Sequence, residues 1–486
     1  MTSRFHPACP RLFLVLLVSC VATGRAAVAR DAPPLPPSSP PPVEVSPPDA
    51  PKPGAFATGK VIAKVVTLHD AGQSYALYLP KAYAPEKKWP ILYGFSPGGR
   101  GTDPVRLFKG AAEKYGWIVV GSNNSRNNVP FAQIRTALDA IWKDTHARLS
   151  IDDARLYGTG FSGGARVSSA FAVTSKTPFA GVIFCGAGLA PGVRWPEKDG
   201  PVVCLVGGTG GFNYGELLRL DALLSARKAR HRLVTFEGDH RWPPFETAAA
   251  ALRYIELHWR LGHAGAGDAA VAEMLDLERA DAEALLERKG EFLRALARFK
   301  ELAGLLADAE AGKPFAARAA EIEKLERYAK EKAALDALVA LPADLARIGN
   351  DAKFNEALMK LAALAREHAG TDAAARARAR LRLLAARLMM AGNQYHAAGR
   401  YKEAVIFLAR TRRLAPKEPT VAYNLACALA RGGAKEAALK VLAESVELGF
   451  RNAAHMKKDP DLESLRDAPE YKALIEKLGT GEGSAP

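Results

Sequence analysis

At 486 residues the chain is too long for one core of ordinary size, so two or three domains are expected. Its 48% hydrophobic and 24% charged residues are those of a soluble globular protein and exclude disorder over most of the length. The net charge of +15 does not mark a nucleic-acid binder, because basic residues interleave with acidic ones in alanine-rich helical stretches such as 294–301 and 320–326, with no basic cluster interleaved with aromatics.

Residues 1–29 read as an export signal. Arg4 and Arg11 precede or flank an apolar run, Leu12–Ala22, that is too short to span a bilayer as a mature helix. Two endings stay open. Leu17-Val18-Ser19-Cys20 resembles a lipobox, which would make Cys20 the site of lipidation, and Ala27-Val28-Ala29 suits ordinary signal-peptidase cleavage. Either route makes the protein exported: periplasmic, an outer-membrane lipoprotein, or secreted, with a lipid anchor as its one expected contact with a membrane. Residues 30–58 form a proline-rich linker, extended and unable to pack a core. Of the cysteines beyond the signal, Cys185, Cys204 and Cys427 are too few and too apolar in setting for a disulfide framework, and are expected as buried free thiols.

From 59 to 262, eight strand-like runs alternate with helical patterns. Val61–Leu68 and Ser74–Pro80 suit an opening antiparallel pair. Pro90–Phe95, Trp117–Ser122, Arg155–Gly158, Gly181–Cys185, Val202–Gly207 and His231–Phe236 are near-continuously apolar, as strands buried on both faces of a parallel sheet must be. Helices are predicted over Asp103–Tyr115, Pro130–Arg148, Gly215–Lys228 and Pro244–Leu261. The repeated βα pattern implies an open, mostly parallel sheet flanked by helices.

No convincing strand follows residue 268, and glycine and proline mark the helix breaks. Residues 268–380 are expected to be helical without an assignable repeat. Across 381–480 an offset of 34 aligns Gly392, Tyr395, Gly399, Ala404 and Leu408 with Ala426, Leu429, Gly433, Ala438 and Leu442. These small and apolar positions resemble tetratricopeptide helix pairs, a resemblance covering about 385–450 that implies a groove for a protein or peptide ligand. The tail after Asp459 suits closing helices.

The chemistry concentrates in Gly160-Phe161-Ser162-Gly163-Gly164, a G-x-S-x-G pattern between a strand and a helix start, where the serine hydroxyl would stand at the top of the sheet. Acyl transfer at Ser162 needs a base, and His240 stands where one is required, in a glycine-bearing loop after the last strand. The oxyanion hole is expected from the Gly163 N–H and from the loop after the third strand, at Gly98 or Gly99, since Pro97 has no N–H.

With these residues placed, 60–262 resembles the α/β-hydrolase superfamily, closest to exported esterases grouped with polyhydroxybutyrate depolymerases, feruloyl esterases and dienelactone-hydrolase-like proteins. The resemblance rests on Tyr75–Pro80, the glycine loop at 98–101, the element order, the elbow, and Gly238-Asp239-His240-Arg241-Trp242-Pro243. It implies a small-molecule ester or acylated polymer as substrate and no cofactor; no cluster of ligands with metal spacing is read from the sequence. It also implies a catalytic acid after the seventh strand, just before Phe212-Asn213-Tyr214, where this chain has Gly211. Glu216 and Asp199 are the substitutes nearby. Loss of the orienting carboxylate lowers turnover about ten-thousand-fold in a well-studied serine protease.

The fold expected is therefore an α/β hydrolase domain followed by an all-α helical region with tetratricopeptide-like helix pairs. Two functions compete: a serine hydrolase acting on a carboxylic ester, and a catalytically impaired hydrolase-fold binding or scaffold protein. The elbow does not distinguish ester from amide, so peptide-bond hydrolysis by the same residues stays open.

Overall fold

The computed structural model describes residues 56–196, 200–342 and 344–479. The expected export signal, with Cys20, and the linker up to residue 55 lie outside the described residues.

Eight strands form one sheet: β1 (Val61–Val66), β2 (Ser74–Tyr78), β3 (Trp89–Phe95), β4 (Ile118–Ser122), β5 (Ile151–Phe161), β6 (Gly181–Cys185), β7 (Val202–Gly208) and β8 (His231–Phe236). Their order across the sheet is β1-β2-β4-β3-β5-β6-β7-β8. β2 pairs antiparallel with β1 and β4, and every later pair is parallel. β2, β3, β4, β6 and β7 are buried at every position, which is why their sequences show no polar alternation. β5 begins earlier than its apolar run suggests, because Ile151 pairs with Trp89 across a shift in register before the main ladder from Leu156.

The sheet is covered on both faces by α1 (Thr102–Tyr115), α2 (Phe131–Arg148), α3 (Gly163–Thr174), α4 (Tyr214–Ala226) and α5 (Phe245–His263). α2, α3 and α4 bury Leu138, Phe171 and Leu217 in one core; α1 and α5 bury Phe108, Leu252 and Ile255 in the other. Right-handed crossovers between parallel strands place helices on both sides in this way. Cys185 and Cys204 lie wholly buried in β6 and β7 as free thiols. Burial pushes the Cys204 thiol up to about 12, so neither strand cysteine offers a thiolate at neutral pH.

After Asp268, whose carboxylate caps the next helix by accepting from the Ala270 and Val271 N–H groups, the described residues contain no further strand. They form α6 (Ala269–Glu287), α7 (Phe292–Leu305), α8 (Lys313–Glu323), α9 (Glu326–Val339), α10 (Asp351–Glu367), α11 (Asp372–Ala397), α12 (Tyr401–Leu414), α13 (Pro419–Arg431), α14 (Lys435–Glu447), α15 (Ala453–Lys458) and α16 (Pro469–Gly479). The division expected at 380/381 falls inside α11, a single 26-residue helix that no proline or early glycine interrupts. No helix among the described residues is long and apolar enough to cross a membrane.

The pairs α11–α12 and α13–α14 repeat one another at an offset of 34. Gly399 and Gly433 occupy the same left-handed turn, at φ 73° and 84°. The Arg400 and Ala434 N–H groups donate back to Tyr395 and Leu429 carbonyls at 2.9 Å in each copy. Gly392 is required by close packing: a Cβ there would stand 2.7 Å from Leu408 Cγ across the pair.

Charge joins the two halves of the protein. Glu278 of α6 is completely buried, and it accepts from Arg253 of α5 at 2.8 Å and from Arg232 of β8. Arg232 also donates to Glu301 of α7 at 2.9 Å. Burial alone would push the Glu278 carboxyl up, but Arg232, Arg298 and Arg253 together outweigh it and bring it down to about 2. Removing Glu278 would leave buried guanidiniums unpaired, so Glu278→Ala is expected to lose about 3–5 kcal/mol of stability, read as a lower urea midpoint. The contribution of this carboxylate is complete above the ordinary value of 4.5 and fades as pH falls toward about 2. An unchanged midpoint would show that the cluster does not hold the halves together.

Candidate active site

β5 carries the chain to Phe161, α3 takes it away from Gly163, and Ser162 makes the turn between them at φ 53° and ψ −117°. A side-chain-bearing residue adopts that conformation only where its surroundings impose it. Two close approaches impose it here. A Cβ on Gly160 would lie 2.2 Å from the Gly164 carbonyl oxygen, and one on Gly164 would lie 2.0 Å from that of Phe95. The turn is therefore pressed against the ends of β3 and β5 at a distance only glycine allows. The Ser162 N–H is tied across to the Cys185 carbonyl of β6 at 2.8 Å, which leaves the side chain facing the cleft.

His240 lies in the loop after β8, and its Nε2 is 2.9 Å from Ser162 Oγ. For Nε2 to take the hydroxyl proton it must be the unprotonated nitrogen, with the hydrogen on Nδ1. The ring is held between Phe161 and Phe212, with centroids 4.7 and 4.1 Å away. That packing desolvates it. Burial draws the imidazolium pKa down to about 4; Glu216 opposes the shift and Arg166 adds to it. The residue is thus neutral and ready as a base at neutral pH, but it is a weak one, because its protonated form is poorly stabilised.

The reason is the missing carboxylate. Gly211 lies beside the base, where a Cβ would be 3.4 Å from the His240 nitrogen of the main chain. Glu216, the first substitute considered, is already engaged: it forms a two-point ion pair with Arg166 at 2.9 and 2.9 Å and accepts the Gly188 N–H at 3.0 Å. Asp199 lies outside the described residues. Among the described residues no carboxylate hydrogen-bonds to the His240 ring. A cavity of about 10 Å³ adjoins His240, lined by Gly186, Gly207, Gly208, Gly211, Tyr214 and Leu217 and by the charged residues Asp239 and Arg241. It has room for about one water molecule.

Gly163 opens α3 and its N–H has no acceptor among the described residues, so it points a free donor from the positive end of a helix. In the loop after β3, the Gly99 N–H is committed to the Ser96 carbonyl at 3.1 Å, in a turn where Gly99 takes φ 69°. Gly99 therefore drops out as an oxyanion donor, while Gly98 keeps an N–H without an acceptor among the described residues.

The structure adds Asn127. Its main-chain N–H donates to the Pro97 carbonyl at 2.9 Å, and its side chain crosses Gly163 so closely that a Cβ on Gly163 would lie 1.8 Å from Asn127 Oδ1. A carboxamide is thus placed beside Gly163, its oxygen nearer than its nitrogen, whose distance to the same Cβ would be 3.1 Å. The polar run Asn123-Asn124-Ser125-Arg126-Asn127-Asn128 after β4 was the available signal. Only the return of that loop onto Gly98 and Pro97 selects one asparagine from it.

The helical region supports the loop between β7 and α4, which carries Gly211. Arg382 of α11 donates to the Thr209 carbonyl at 2.6 Å, Arg294 of α7 bonds the Tyr214 hydroxyl, and Leu383 packs on Gly215. Far from the site, folding brings Cys427, Asp459 and Asp461 together, a grouping hidden by their sequence separation. Asp459 there accepts from Tyr423 at 2.6 Å and from the Asp461 N–H at 3.0 Å, which gives it a capping role.

No family model matches the chain. Among curated proteins it is 30% identical over 90 residues to a chloroplastic protein of Arabidopsis thaliana, an alignment spanning 18% of this chain and 27% of that protein's length. Among solved structures it is similar to an S-formylglutathione hydrolase from Staphylococcus aureus, with 13% identity and a TM-score of 0.33 over 41% of this chain and 98% of the other. It is similar to esterase B from Lactobacillus rhamnosis, at 16% identity and TM-score 0.34 over 40% and 85%. An esterase from Pyrobaculum calidifontis gives 12% and 0.33 over 41% and 87%. The strand order, the two-sided helix cover and the serine elbow define residues 59–262 as an α/β-hydrolase fold, followed by a large all-helical region.

For ester cleavage through Ser162 and His240, kcat/KM should fall on the acid side with a midpoint near 4, not near the ordinary 6.5. Gly211→Asp supplies the absent charge at a position that must yield only a few tenths of an ångström, its Cβ meeting the Gly208 carbonyl at 3.1 Å. The added carboxylate should raise the midpoint by about 1–3 units and kcat by roughly tenfold or more. A wild-type midpoint near 6.5, or a substitution that moves neither quantity, would contradict the account of the acid side.

Proposed function

We propose that this protein is an exported serine hydrolase that cleaves a carboxylic ester through a Ser162–His240 centre, and does so slowly. The observation that carries the reading is the 2.9 Å contact between His240 Nε2 and the hydroxyl of a serine held at positive φ. That conformation has no structural use in the core and is retained where a hydroxyl must be presented. Ser162 attacks the acyl carbon as His240 takes its proton; the Gly163 and Gly98 N–H groups receive the oxyanion, and His240 returns the proton to the leaving group. Water then repeats the sequence to release the acid.

An ester is favoured over an amide on chemical grounds. An amine must be protonated to leave, which demands a well-supported imidazolium, whereas an alkoxide or phenoxide leaves with less help. Among the described residues no carboxylate hydrogen-bonds to that cation, and Glu216 supports it only from a distance. The same point favours one alternative, a hydrolase-fold binding protein with residual or no turnover. Export through residues 1–29, lipidation at Cys20 and a polymer-bound or soluble ester substrate are parts of the proposal supported by the sequence. The pairs α11–α12 and α13–α14 are proposed as tetratricopeptide units that dock a protein or peptide, a reading supported by the 34-residue repeat of their turn glycines.

A fluorophosphonate probe should label the wild-type chain at Ser162, and p-nitrophenyl acetate or butyrate should be hydrolysed measurably. Ser162→Ala should abolish both. A folded wild-type protein that neither labels nor turns over would favour the binding-protein alternative.

A further inference from the structure

A cavity of about 290 Å³ lies between α4 of the hydrolase and α9, α10 and α11 of the helical region. Gly215, Leu218, Arg219 and Ala222 reach it from a single face of α4, at helical spacing. Its floor is apolar: Leu218, Leu338, Leu361 and Leu384 are all buried there. Val339 stands at the opening, 72% exposed. The volume is at the lower end for small-molecule sites.

The charge lining this apolar floor is mostly positive, with Asp344 as the carboxylate among its lining residues. Four arginines border the cavity, and two of them are answered: Arg387 by Asp344 at 2.8 Å and Arg376 by Asp372 at 2.5 Å. Arg380 donates to the Leu338 carbonyl at 3.0 Å and to the Pro342 carbonyl, with no carboxylate partner among the described residues. Arg219 has no hydrogen bond or ion pair there at all. Burial, with Arg387 as a like-charged neighbour, holds the Arg219 guanidinium below the ordinary arginine range against the opposing pull of Glu216 and Asp344, and burial lowers Arg380 as well. Partly desolvated cations with no carboxylate in hydrogen-bond contact are costly, and an anion that also covers the leucines would relieve both conditions at once.

We propose that this cavity binds an acyl carboxylate of medium chain length, about eight to twelve carbons on the scale of the cavity, with its head group held by Arg219 and Arg380 and its chain along the leucine floor. None of the residues lining it also lines the small cavity beside His240. An uncharged alcohol of equal length meets the floor but not the arginines, and a short carboxylate meets the arginines but not the floor.

Binding needs no turnover, so it is measured calorimetrically on full-length Ser162→Ala with decanoate, 1-decanol and acetate. Decanoate should bind at one site, at least about tenfold more tightly than 1-decanol or acetate. Arg219→Ala, which breaks no hydrogen bond or ion pair among the described residues, and Val339→Glu, which sets a negative charge at the exposed mouth, should each weaken decanoate by about fivefold or more. No saturable decanoate binding, equal binding of 1-decanol, or decanoate binding indifferent to both substitutions would overturn the proposal. Indifference would place any bound decanoate elsewhere, including the Ser162 cleft. Esterase activity of the wild type is a separate measurement, and neither outcome decides the other.

Discussion

β8 is the strand on which both halves of this protein depend, and buried charge is what holds it. β8 is the last strand of the sheet, and its side chains reach into the helical region. Arg232 leaves β8 to meet Glu278 and Glu301, and Thr235, further along the same strand, donates to Glu291 of the same helical layer at 2.6 Å. Breaking such a cluster one-sidedly is costly because charges remain buried without partners, so the pairing sets a definite relation between sheet and helices. His240 follows β8 directly, and its reach to Ser162 is inherited from the place of that strand.

The catalytic end shows two kinds of constraint. The serine turn is set by van der Waals contact: Gly160, Gly164 and Phe95 approach so closely that any side chain would drive them apart. The base is set by aromatic packing between Phe161 and Phe212, and this packing has an electrostatic consequence. It keeps His240 neutral, but it also withholds the stabilisation an imidazolium needs during acyl transfer. In a complete triad the carboxylate corrects for that. Here its place is lined by glycines, and Glu216 is drawn off by Arg166 and Gly188. A serine at positive φ beside a desolvated, neutral imidazole describes this site, and the contacts of Arg382, Arg294 and Leu383 tie the loop between β7 and α4 to the helical region.

Much of this was legible from residues alone, for identifiable reasons. Strands buried on both faces leave unbroken apolar runs, so the eight strands could be read from β1 to β8. The serine turn was legible because the close approach demands glycine at two fixed positions. His240 was legible by its place after the last strand. Asn127 was not, because its neighbours in the run 123–128 share its polar character and only the fold returns one of them to Gly163. The loss of Gly99 as a donor, the capture of Glu216 and the continuity of α11 through residue 380 were hidden because each is settled by how the chain packs rather than by its local pattern.

What the chain determined by itself was local: the periods of its strands and helices, the glycines that permit the turn at Ser162, the absence of a side chain at Gly211, and the 34-residue repeat of Gly399 and Gly433. What only the tertiary structure decided was the state of each group once placed. His240 becomes a neutral, weak base because aromatic rings exclude water from it, and the arginines of α4 and α11 form one cationic, leucine-floored cavity because two domains meet there. Period and steric size are properties of neighbouring residues, whereas desolvation and unbalanced charge arise only when distant residues enclose a common space.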